Sequence, residues 1–160
     1  MDIFEYAMQM EKDGEAYYRE LADTANSKGL ANILTFLADE EVKHYKIFKR
    51  MKEGKGEAPV SHLLDDVKNV FAELREKGET FHFDAKQPEH YRKAQEIEKR
   101  SEEFYREKAK EVGDPAQAEI LNKIADEEKR HYNVLENIID FVRQPERWLE
   151  NAEWHHIGEE

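Results

Sequence analysis

Two short phrases in this chain pair a carboxylate with an imidazole at a spacing that can hold a metal ion. The first reads Ala38-Asp39-Glu40-Glu41-Val42-Lys43-His44-Tyr45, the second Ala125-Asp126-Glu127-Glu128-Lys129-Arg130-His131-Tyr132. In each, Glu-x-x-His places a carboxylate and a ring on one face of a helix. Both pairs sit inside apolar stripes. Leu34, Leu37, Ala38, Tyr45 and Phe48 surround Glu41 at helical offsets, and Leu121, Ile124, Ala125, Tyr132 and Leu135 surround Glu128. A carboxylate on a buried face costs free energy unless something positive meets it.

The phrases belong to a longer repeat at an offset of 87 residues, the spacing from His44 to His131, with no gap. Ala7, Glu11, Lys12, Glu15, Tyr18, Arg19 and Ala22 match Ala94, Glu98, Lys99, Glu102, Tyr105, Arg106 and Ala109. The repeat therefore singles out one further carboxylate per half. Glu11 shares a stripe with Ala7, Gly14 and Tyr18; Glu98 shares one with Ala94, Ser101 and Tyr105. A bundle interior would then gather Glu11, Glu41, His44, Glu98, Glu128 and His131. Two carboxylates ~4 Å apart repel by roughly 4 kcal/mol at an effective dielectric near 20. Four of them together need protons or cations, and two divalent ions would balance them with one imidazole each. Oxygen-rich ligation of this kind suits iron first, then manganese, with zinc a poorer substitute.

The elements that position these residues follow from the apolar periodicity. Asp2 can cap a helix running to about Ser27, and Asn26 to Gly29 forms a turn. A second helix spans about Leu30 to Glu53, ending at Gly54 behind basic Lys49, Arg50 and Lys52. The short turn makes this pair an antiparallel hairpin, residues 2–53. A crossover over residues 54–87 contains a shorter helix, about His62 to Lys77, capped by Ser61 and stopped by Gly78. Pro88 opens a third long helix to about Val112, and Gly113-Asp114-Pro115 punctuates the start of a fourth, to about Arg143. This is the second hairpin, residues 88–143. Gln144-Pro145 then breaks the chain before a terminal helix, residues 145–157, whose Trp148 and Trp154 would fasten it to the bundle or to a second subunit. The expectation is an all-α, single-domain four-helix bundle over residues 1–160, built by duplication of a hairpin.

Composition narrows the function. The net charge of -12 argues against nucleic acid or an anionic membrane as partner. Charged residues make up 39% and mean hydropathy is -0.98, yet the apolar residues are spaced as amphipathic helices require. No apolar run approaches a membrane span, and Met1-Asp2-Ile3-Phe4 does not open a signal peptide, so a cytoplasmic location is expected. The absence of cysteine excludes from these residues any disulfide, thiolate zinc site or cysteine-held iron centre.

Glu11-x6-Tyr18-x3-Ala22, Glu98-x6-Tyr105-x3-Ala109 and the two Glu-x-x-His pairs resemble the rubrerythrins, within the ferritin-like di-iron carboxylate superfamily. The resemblance covers roughly residues 4–53 and 88–142. It implies a centre of two iron ions bridged by Glu41 and Glu128, with Glu11 and Glu98 terminal and His44 and His131 at opposite ends. It also implies hydrogen bonds from Tyr18 and Tyr105 to ligand carboxylates, and a role for Glu40 and Glu127 in orienting the opposite imidazoles. On residue type alone, Glu40 and Glu127 read better as solvated or interfacial acids, and Tyr18 and Tyr105 equally well as ordinary core residues. Glu15 and Glu102 read as i,i+4 partners of Arg19 and Arg106. His62, His82, His90, His155 and His156 lack a partner at ligand spacing and read as surface residues.

The activity implied is two-electron reduction of hydrogen peroxide, or of dioxygen, by an oxidoreductase that cycles di-ferrous and di-ferric states, as a homodimer. Two features depart from the family pattern. Rubrerythrins proper carry a rubredoxin domain for electron delivery, so here an external electron-transfer protein is needed. They also carry an extra glutamate one turn along the third helix, where this chain has Ser101 beside Glu102. That second departure admits a bacterioferritin-like alternative, a ferroxidase or iron-storage protein. A third reading is a metal-bound structural bundle without turnover.

Overall fold

A computed structural model of the chain describes residues 2–78 and 81–151. These form α1 (Ile3–Thr24), α2 (Lys28–Lys52), α3 (Leu63–Lys77), α4 (Gln87–Glu111), α5 (Pro115–Arg143) and α6 (Pro145–Asn151), with no strand among the described residues. Local chemistry sets the long-helix boundaries. Asp2 accepts the Glu5 N–H at 2.8 Å, and Asp114 accepts the Ala116 N–H at 2.9 Å, with Pro115 in the first turn. Ser27 accepts the Leu30 N–H at 3.3 Å, so it begins α2 instead of ending α1. The first helix therefore stops at Thr24, three residues short of the expected end, because the serine hydroxyl is taken as an N-cap.

α1 pairs with α2 and α4 with α5, and the two hairpins face each other with α1 beside α4 and α2 beside α5. This is the all-α ferritin-like bundle. The crossover carries α3 along α2, and α6 packs back onto α5 and α3. α3 starts at Leu63, and Ser61 still reaches it by accepting the Leu63 N–H at 3.1 Å. Gly78 ends it with φ 62, a left-handed conformation that glycine adopts without steric cost. Trp148 packs on Phe71 with ring centroids 4.4 Å apart and fastens α6 to the bundle. Trp154 and residues 152–157 of the expected terminal helix lie outside the described residues.

The apolar interior is divided in two. One cluster joins Tyr18, Leu34, Leu37, Phe71, Leu135 and Phe141 at the end covered by α3 and α6. The other joins Ala7, Phe48, Met51, Tyr105, Leu121 and Ile124 at the opposite end. The six candidate ligands occupy the layer between them. Hydrophobic burial at both ends thus holds the polar layer in place and keeps water from it.

Phe71 is fully buried among Phe141, Trp148 and the α2 stripe. Phe71→Ala is expected to cost roughly 3–5 kcal/mol, read as a lower midpoint in urea unfolding, while the protein still takes up its full complement of metal.

Candidate metal centre

The structure brings all six sequence-predicted donors together in the bundle interior, each at most 2% exposed. Their donor atoms fall into two overlapping groups. Glu11, Glu41, His44 and Glu128 form one; Glu41, Glu98, Glu128 and His131 form the other. Within each group, one donor atom per residue lies within 4.8 Å of the rest. Glu41 and Glu128 are common to both. Two ions sharing two carboxylates, each with one further carboxylate and one imidazole, would fit this arrangement.

The imidazoles enter it in the same sense. His44 Nδ1 lies 2.8 Å from Glu11 and 3.1 Å from Glu128; His131 Nδ1 lies 3.4 Å from Glu98, 3.6 Å from Glu128 and 3.7 Å from Glu41. Each Nε2 points the other way. His44 Nε2 is 2.7 Å from Glu127, and His131 Nε2 is 3.9 Å from Glu40. Glu40 and Glu127 are therefore not solvated acids: they are 4% and 7% exposed and face the opposite hairpin's imidazole. Close packing of α5 on α2 covers the helix positions just before the shared glutamates. The signal was present in the repeat, which puts each of these acids four residues before a histidine. Such carboxylates fix ring orientation in metal sites.

The tyrosines cross between hairpins as well. Tyr18 donates to Glu98 at 2.5 Å and Tyr105 donates to Glu11 at 2.9 Å, both buried. Burial and the neighbouring carboxylates push both phenols well above their usual range, so they keep the proton they donate. The expected Glu15–Arg19 and Glu102–Arg106 pairs form at 2.7 and 2.9 Å on the bundle's flank. His62, His82 and His90 are exposed and join neither donor group, although His62 lines a cavity with Glu40, Glu127 and His131; His155 and His156 lie outside the described residues.

Electrostatics shows what the cluster needs. Burial, then the charges of Glu11, Glu128 and Glu98, pushes Glu41 well above the ordinary carboxylate range. Burial, then Glu11 and Glu98, does the same to Glu128. Burial opposes charging His44 and His131, but Glu11 and Glu98 respectively outweigh it and raise both well above the usual imidazole value. Protons thus take the place of positive charge. Four buried atoms of the donor residues still lack any hydrogen-bond partner: Glu98 Oε2, Glu128 Oε1, His131 Nδ1 and His131 Nε2. Three of them face the cluster and belong to residues of one donor group. Orphaned donors of this chemistry fit a divalent cation.

Gly14 has a further part that periodicity alone did not give it. A Cβ there would stand 3.2 Å from the Glu41 carboxyl, so the glycine lets a shared carboxylate lie against α1. Its repeat counterpart, Ser101, is buried at 3% exposure.

A buried, oxygen-rich donor set inside a duplicated four-helix bundle defines a ferritin-like carboxylate protein. The sequence model of the rubrerythrin family matches residues 2–139, and the chain belongs to that family. Neither the curated proteins nor the solved structures gave a match. Among the described residues no helix is long and apolar enough to cross a membrane.

Two outcomes follow. Loading the metal-free protein must expel protons held by Glu41, Glu128, His44 and His131, so metal affinity should rise with pH; proton release in weakly buffered solution measures this. Gly14→Ala should leave the metal-free protein as stable or more so, since alanine favours helix by about 0.5–1 kcal/mol. The added methyl must shift Glu41, so divalent metal should bind about tenfold more weakly, read by competition with a chelator.

Proposed function

We propose that this protein is a rubrerythrin-type di-iron oxidoreductase that reduces hydrogen peroxide with electrons from an external donor protein. Glu41 and Glu128 would hold both ions, Glu11 with His44 one of them and Glu98 with His131 the other. The observation that carries the reading is the overlap of the two donor groups on Glu41 and Glu128. A structural role would need one ion or none, whereas a shared pair of carboxylates supports two ions close enough to act together. When bound, the two iron ions supply the two electrons that turn hydrogen peroxide and two protons into two waters.

The chain's own residues supply the setting. Tyr18 and Tyr105 hold Glu98 and Glu11 by hydrogen bonds from the opposite hairpin, which keeps the donor set rigid as charge changes. Glu40 is held down to about 2: burial opposes this, and the charge of His131, the Ser61 hydroxyl and the Lys43 ammonium overcome it. It therefore stays anionic opposite His131 at neutral pH. The apolar clusters above and below the layer exclude bulk water. None of these 160 residues is a cysteine, so no thiolate-held iron relay lies among them.

Ser101 supports a second reading. Without a seventh carboxylate at that position the donor set is the symmetric six-residue one, which suits oxidation of ferrous iron as substrate. Anaerobic loading with ferrous iron, followed by stoichiometric peroxide, separates the two. Two irons per chain and peroxide consumption much faster than dioxygen consumption, in a small oligomer, are expected. Slow reaction with dioxygen alone, in a large shell, would favour the ferroxidase. Glu41→Ala and His131→Ala should each lose about one iron or more per chain by elemental analysis, at wild-type helicity.

A further inference from the structure

The duplication is nearly symmetric in sequence but not in how its two donor groups are paired. Glu11 and His44 have every side-chain donor and acceptor engaged. Glu11 Oε1 meets His44 Nδ1, Glu11 Oε2 accepts from Tyr105, and His44 Nε2 meets Glu127 at 2.7 Å. In the counterpart pair only Glu98 Oε1 is engaged, by Tyr18. Glu98 Oε2 and both nitrogens of His131 make no hydrogen bond, Oε2 and Nδ1 lying 3.4 Å apart, although His131 is fully buried.

The crossover, which the repeat does not contain twice, explains the difference. Ser61 donates its hydroxyl to Glu40, and Lys43 pairs with the other Glu40 oxygen at 3.0 Å. Glu40 is thereby held 3.9 Å from His131 Nε2, too far for a hydrogen bond. Beside them opens a cavity of about 200 Å³ at the first turn of α3. Its lining includes Glu40, Asp65 and Glu127, together with the Arg130 guanidinium, and it reaches the His131 ring. No other ring of the cluster lines it. Three carboxylates against the Arg130 guanidinium and the Lys43 ammonium leave an excess of negative charge that favours a cation there, and the space admits a partly hydrated one.

We infer that the two metal positions fill in order: a divalent cation enters through the α3 cavity and takes the His131 position (Glu41, Glu98, Glu128, His131) before the His44 position. The inference rests on the metal-centre reading and goes beyond it by assigning different affinities to the two halves of the repeat. At the His131 position the cation meets buried donors whose contacts with His131 Nδ1 are 3.4 Å or longer, and Glu98 Oε2 and both His131 nitrogens make no hydrogen bond. At the His44 position it must first break the Glu11–His44 contact, which the protein has already made.

The test titrates the metal-free protein with cobalt(II) without oxygen, following cobalt absorption and bound metal rather than turnover. Two resolved equivalents are expected in the wild type, the first at least tenfold tighter. His44→Ala should keep the tight equivalent and lose the weak one; His131→Ala should lose the tight one. Leu64→Trp, which fills the cavity beside α3, should slow cobalt uptake several-fold with little change in affinity. Equal equivalents in the wild type, or a tight equivalent lost in His44→Ala and kept in His131→Ala, would overturn the order. Unchanged uptake in Leu64→Trp would overturn the route. Should a variant fail to fold, wild-type crystals grown with half an equivalent of cobalt decide, since anomalous density must lie on the His131 side. A wild type that binds no cobalt, iron or manganese overturns the metal centre itself, which is a separate failure.

Discussion

Four carboxylates share one dry layer of this bundle, and everything around them answers that constraint. At separations of a few ångströms their mutual repulsion is worth several kcal/mol, and no solvent screens it. The protein meets it with two imidazoles, two phenols and protons retained on Glu41 and Glu128. Apolar clusters on either side make the layer costly to leave open. A core of the same volume built from leucine would be more stable. The sequence keeps the carboxylates in both copies of the repeat, which is the mark of a ligand-holding layer and not of a stability device.

Duplication explains how so small a chain makes the site. Each hairpin contributes Glu, Glu-x-x-His and a tyrosine, and each is satisfied mainly by the other hairpin: Tyr18 by Glu98, Tyr105 by Glu11, His44 by Glu127. Neither half could bury its own acids. The interface between hairpins is therefore the site, and the bundle closes only because the acids find partners across it. The crossover then breaks the symmetry, through Ser61 on Glu40, at one imidazole only.

Most of this was legible in the sequence because helical register converts spacing into direction. The gap-free 87-residue offset identified the hairpins, the Glu-x-x-His pairs gave four of the six converging donors, and the repeat added Glu11 and Glu98. Helix ends were legible to within a few residues, with Ser27 misplaced because a hydroxyl can serve a turn or a cap equally well. Glu40 and Glu127 were left between solvated and interfacial because residue type says nothing about which flank a second helix will cover. Gly14 was legible as an inward position and Ser61 as a cap, but what either does to the acids was not. Their parts depend on one distance each, from a missing Cβ to Glu41 and from a loop hydroxyl to Glu40, and distances between elements are set by packing.

The central claim is that the buried layer exists to hold two cations. Diffraction from crystals of the anaerobically iron-loaded protein, collected on both sides of the iron absorption edge, tests it most directly. Two anomalous peaks a few ångströms apart, flanked by Glu41 and Glu128 with His44 and His131 at opposite ends, are expected. An ordered bundle with no anomalous density in that layer, its carboxylates paired only with one another, would contradict the account.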